Sequence, residues 1–107
     1  MNIEFAARGG LNPSDALKER VELKLQKIER RFGQSLFVRV KFDEVANGRY
    51  GCGINFNVSG HEYVAQSEGD DLFKAADEAL QKIETQVRRS QSKHDGHRGD
   101  TIRGEAR

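Results

Sequence analysis

Of the 107 residues, one is cysteine, one is proline and none is tryptophan. The lone thiol, Cys52, can form no disulfide within the chain, which is the usage expected in a reducing cytosol. No stretch approaches the roughly 18 apolar residues that span a membrane. The opening MNIEFAARGG lacks the basic start and apolar run of a secretory signal. An excess of one charge is missing as well: 18 Lys and Arg stand against 17 Asp and Glu, for a formal net charge of +1. Bulk charge therefore selects no partner, and recognition of a polyanion requires a local face. Catalytic groupings are equally scarce. Cys52 lies on the apolar side of a strand pattern and reads as a core residue. His94 and His97 have a metal-like spacing, but no further ligand pair joins them, so they read as solvated tail residues. His61 has no oriented partner, and Gly51 and Gly53 join no strand to a helix as a phosphate loop does. The sequence calls for no cofactor, no metal and no small-molecule substrate.

What is present fits a single domain. Hydrophobic residues make up 36% and charged residues 33%, the composition of a soluble globular chain with a modest core. Charge is unevenly placed along it. Residues 88–107 hold six basic and three acidic side chains, leaving 12 basic and 14 acidic in the body. The body is slightly acidic and the end of the chain is basic.

Periodicity orders the elements. Ile3, Phe5 and Ala7 alternate with polar neighbours, so 2–8 reads as a strand broken by Gly9 and Gly10. Asn12 and Pro13 predict a helix start, with Asn12 as N-cap and Pro13 in the first turn, and Gly33 predicts its end after Phe32. Residues 36–44 and 50–58 alternate again, joined by Asn47-Gly48, and Ser59-Gly60 turns into a further strand, HEYVAQS. Asp70 or Asp71 caps a second helix from about Leu72 to Arg89. The order β-α-β-β-β-α predicts an α+β fold, a four-stranded sheet with two helices packed on one face. The domain is expected to span 1–94. Residues 95–107 have little to bury and read as a flexible polar tail.

The first helix sorts its charges. At about 100° per residue, Leu17, Val21, Leu25, Ile28 and Phe32 form an apolar stripe about 80° wide. Arg20, Lys24, Lys27 and Arg31 collect on one flank of that stripe, and Glu19, Glu22, Gln26 and Glu29 on the other. The second helix repeats the pattern. Leu72, Ala76, Ala79, Leu80, Ile83 and Val87 make its stripe. Lys82, Gln86, Arg89 and Lys93 take the same rotational side as the first helix's cations, and Asp77 and Glu84 the other. Mixed charge on a helix is ordinarily solvation and i,i+4 pairing. A one-sided row of cations repels itself, however, and phosphates would supply its counter-charge. The candidate nucleic-acid contacts are therefore Arg20, Lys24, Lys27, Arg31, Lys82, Gln86, Arg89 and Lys93. The open sheet face, with Arg39, Lys41, Asn55 and Asn57, has no aromatic at those positions, which argues against base stacking of the RNA-recognition-motif kind.

Two segments carry a resemblance: KLQKIERRF at 24–32, with Ala16-Leu17 upstream, and SEGDDLFKAADEALQKIETQVRR at 67–89. Over about residues 2–94 the chain resembles the ribosome hibernation-promoting factors, the family that includes ribosome-associated inhibitor Y. The resemblance implies the same β-α-β-β-β-α fold. It implies binding to the small ribosomal subunit between head and body, in the path of mRNA and tRNA, with helix cations on ribosomal RNA phosphates. Carried over by position, it points to Lys24, Lys27, Arg31, Lys82 and Arg89, with Arg20 and Lys93 as additions. Thr85 stands where family members commonly carry a basic residue, and the basic tail differs from the inhibitor's acidic one, which points to the short class. The expectation is a cytoplasmic, non-enzymatic silencer of translation in stress or stationary phase, monomeric away from the ribosome. The alternative is a small protein-interaction module that regulates a transcription or stress factor.

Overall fold

The computed structural model describes residues 1–96, with side chains described through Gln91. The elements are β1 (Asn2–Ala7), α1 (Asp15–Phe32), β2 (Phe37–Ala46), β3 (Arg49–Val58), β4 (His61–Gly69) and α2 (Leu72–Gly96). They form the expected α+β arrangement. The sheet order is β1-β2-β3-β4. The last three strands are an antiparallel meander, and β1 pairs with β2 in parallel, from Asn2↔Phe37 to Ala7↔Phe42. A parallel pair needs a long crossover, and α1 supplies it. Ser59 (φ 50) and Gly60 (φ 82) both adopt left-handed backbone, which matches the twist of the β3–β4 hairpin they connect.

Alternation in the strands sends one set of side chains under the helices. Val38, Val40 and Phe42 of β2, Cys52, Ile54 and Phe56 of β3, and Tyr63 and Ala65 of β4 are all buried. Leu17, Val21, Leu25 and Ile28 of α1 cover them together with Ala75, Ala76, Ala79, Leu80, Ile83 and Val87 of α2. Side-chain size sets how closely α2 approaches the sheet. Inward residues of β4 shrink to Ala65, Ser67 and Gly69, and α2 answers with alanines. A Cβ on Gly69 would lie 2.9 Å from the Ala75 nitrogen, so α2 comes down almost onto the strand backbone.

Two boundaries differ from the sequence expectation. Ser14, not Asn12, is the N-cap of α1: its backbone is extended (ψ 160) and its hydroxyl accepts the Leu17 N–H at 3.1 Å. Pro13 therefore precedes the cap instead of opening the helix. Asp71 caps α2, accepting the Lys74 N–H at 2.8 Å. That helix continues past Arg89 to Gly96, across the expected domain boundary at 94. No proline or glycine interrupts 90–95, and the Tyr63 hydroxyl donates to Ser90 Oγ at 2.8 Å, tying the added turn to β4. The remainder of the expected tail, 97–107, lies outside the described residues.

Candidate nucleic-acid interface

The direction of the helices decides where their cations go. Arg20 near the start of α1 meets Asp77 near the start of α2, and Arg31 near its end meets Gln91. The two helices thus lie side by side and run the same way. Each carries its cations on the same rotational side, so both rows point in one direction across the sheet. The row on α1 faces α2, and the row on α2 faces away, over the edge of β4. The predicted residues form two groups, not one continuous strip.

The first group lines the groove between the helices. Arg20 grips Asp77 with two bonds, Nε to Oδ1 at 2.8 Å and a terminal nitrogen to Oδ2 at 3.0 Å. That hydrogen bonding holds the Asp77 carboxyl below its ordinary value; partial burial opposes the shift, and the charges of Arg20 and Lys24 add to it. At the other end, Arg31 donates to Gln91 Oε1 at 3.4 Å while Gln91 Nε2 donates to the Arg31 carbonyl at 2.9 Å. Lys24 and Lys27 lie between these contacts and form no salt bridge with any described residue. Part of the charge sorting is therefore a match between neighbours: the basic flank of α1 meets the flank of α2 that carries Asp77.

The second group lies along β4. Lys82 Nζ donates to the Gln66 carbonyl at 3.0 Å. Gln86 bonds both backbone groups of Val64, accepting its N–H at 3.3 Å and donating to its carbonyl. An edge strand presents unpaired backbone groups that invite another strand, and Gln86 occupies two of them as a strand would. Its amide has an internal duty that its place on the wheel did not reveal. Arg89 lines a shallow groove with Glu78, Gln81, Lys82, Thr85 and Gln86. Lys93 falls within α2, beyond the residues whose side chains are described.

Glu29 is the residue that the flank pattern misplaced. It sits among the acids of α1, but its carboxylate accepts the Leu36 N–H at 2.9 Å and lies 3.5 Å from the N-terminal ammonium. It fastens the starts of β1 and β2 to α1. Nothing in the helix periodicity signals this, because both partners come from other segments. Burial, aided by the charge of Asp43, pushes the Cys52 thiol up to about 12, as suits a packed core thiol.

Residues 3–95 match the family described as Sigma 54 modulation protein / S30EA ribosomal protein. The chain belongs to this family. Its fold is similar to the N-terminal domain of protein Y from Thermus thermophilus, at 30% identity and a TM-score of 0.73, over 84% of this chain and 99% of that one. It is similar also to a ribosomal subunit interface protein from Coxiella burnetii, at 27% identity and a TM-score of 0.71, over 86% of this chain and 99% of that one. No curated protein sequence matches it. Membership in the S30EA family agrees with the resemblance carried by 24–32 and 67–89. Among the described residues no helix is long and apolar enough to cross a membrane.

Proposed function

We propose that this chain binds the small ribosomal subunit in the mRNA and tRNA channel and silences translation there, as a cytoplasmic, non-enzymatic hibernation factor of stress or stationary phase. The observation that carries the reading is the pair Lys24 and Lys27, two cations on the groove flank of α1 without a salt bridge to any described residue. Cations free of salt bridges suit a phosphate backbone, and the S30EA membership supplies the ribosome as its source. Arg31, Lys82 and Arg89 extend the contact set, and Lys93 prolongs it along α2. Arg31 and Lys82 each donate to a neutral oxygen, which leaves their charge in place, whereas Arg20 is paired with the Asp77 carboxylate and the Gln86 amide is engaged with Val64.

Co-sedimentation with purified ribosomes tests the reading. Lys24→Glu combined with Lys27→Glu should abolish binding and keep the fold, since neither side chain is in the buried stripe. Glu19→Lys combined with Glu22→Lys, on the other flank of α1, should bind as well as the wild type or better. Equal losses from both pairs would reduce the sorted flanks to solvation and leave a protein-interaction module as the better account.

A further inference from the structure

The two ends of the helix pair are held by contacts of unusual directionality. On its core side α2 presents Ala75, Ala76 and Ala79, all fully buried. Ala75 packs against Gly69 of β4, so this side of the helix serves the sheet. Two polar clasps join α2 directly to α1. A carboxylate that takes both bonds of a guanidinium fork is held to a narrow range of positions, and Asp77 takes both from Arg20. The Gln91 amide closes in the same way on the side chain and carbonyl of Arg31. The clasped positions on α1, 20 and 31, are about 16 Å apart at 1.5 Å per residue. Lys24 and Lys27 lie between them.

We infer that the Arg20–Asp77 and Arg31–Gln91 clasps set the axial register of α1 on α2, so that Arg20, Asp77 and Gln91 are positioning residues for Lys24 and Lys27. The inference rests on the ribosome-binding reading and adds to it the residues that shape the binding row. It gives Asp77 a role opposite to its charge. As an anion bordering a cationic groove, Asp77 opposes a polyanion, and its removal on electrostatic grounds alone strengthens binding. As a clasp, its removal lets the row drift and weakens binding.

Ribosome affinity measured across a salt series decides between the two. Asp77→Ala and Arg20→Gln should each weaken binding about fivefold, a size usual for coupling between contacting residues, and the double variant should be no weaker than the worse single. Gln91→Ala, which changes no charge, should weaken binding in the same direction. All four should keep the wild-type log–log salt slope, whereas Lys24→Gln should reduce its magnitude by about 0.7–0.9, the loss of one phosphate contact. Melting curves should stay close to wild type, because the Arg20–Asp77 pair is exposed. Binding by Asp77→Ala as tight as the wild type or tighter would overturn the inference. So would a shallower slope for Arg20→Gln, which would make Arg20 a phosphate contact itself. If the wild-type chain does not sediment with ribosomes, the ribosome reading falls, which is a separate outcome.

Discussion

Gly69 shows how little space one residue can have in this fold. A Cβ there would stand 2.9 Å from both the Ala75 nitrogen and Lys74 Cβ, at the point where α2 meets β4. Backbone cannot yield without shifting the helix. Gly69→Ala should cost about 1–3 kcal/mol, read from the denaturant midpoint. Gly53→Ala places its Cβ at an ordinary 3.6 Å from Gln66 Cγ and should stay within about 0.5 kcal/mol of wild type. Both glycines look alike in the chain, and the difference lies in what approaches them. Cys52 gives a second test at this scale. With its thiol pushed up to about 12 by burial, it is neutral at pH 8, and iodoacetamide should label it only at the rate at which the fold opens. The folded value lies above the unfolded one. The stability contributed by the neutral buried thiol is therefore complete below about pH 8.5 and is lost as pH rises toward 12. Melts at pH 8 and pH 10.5 on wild type and Cys52→Ser should show the wild type losing more on alkalinisation.

Elements were legible to the extent that their determinants are local. The apolar stripes of α1 and α2 follow from helical period, and Leu17, Val21, Leu25 and Ile28 are all buried as expected. The sequence pattern places the start of α1 two residues early, at Asn12; the reach of the Ser14 hydroxyl to Leu17 N, a detail of the turn's geometry, sets the cap at Ser14. Ser14→Ala should cost about 1 kcal/mol in thermal or denaturant unfolding, and Asn12→Ala much less. The edge of β4 carries a different kind of prediction. Gln86→Ala frees the Val64 N–H and carbonyl, removing the side chain that blocks strand addition. The variant should fold, yet light scattering on heating should rise earlier and with steeper concentration dependence than in wild type.

For the whole molecule, the consequence is electrostatic. Five cations, Lys24, Lys27, Arg31, Lys82 and Arg89, sit on a chain whose net charge is only +1. Attraction to a polyanion must then be short-ranged and strongly salt-dependent. Raising salt fourfold should weaken ribosome binding by on the order of a hundredfold for about five phosphate contacts. Glu29 marks the limit of treating the opposite flank of α1 as inert. Removing its carboxylate leaves the Leu36 N–H without its acceptor and unfastens the starts of β1 and β2, so Glu29→Ala is expected to cost about 1–3 kcal/mol in unfolding experiments.

By itself the sequence determined the order of the elements, the buried stripes, the turn at Ser59-Gly60 and the sorting of charge on each helix. All of these depend on periods of two or 3.6 residues and on the conformations single residues prefer, which neighbours in the chain already express. Only the tertiary structure decided what each flank faces. Arg20 and Asp77 are 57 positions apart, and whether they meet depends on α1 and α2 lying parallel on one face of the sheet. That in turn follows from the parallel pairing of β1 with β2, which makes α1 a crossover. A helical wheel gives the angle of a cation from its own apolar stripe. It carries no information about which neighbour stands in that direction, because long-range strand pairing sets it.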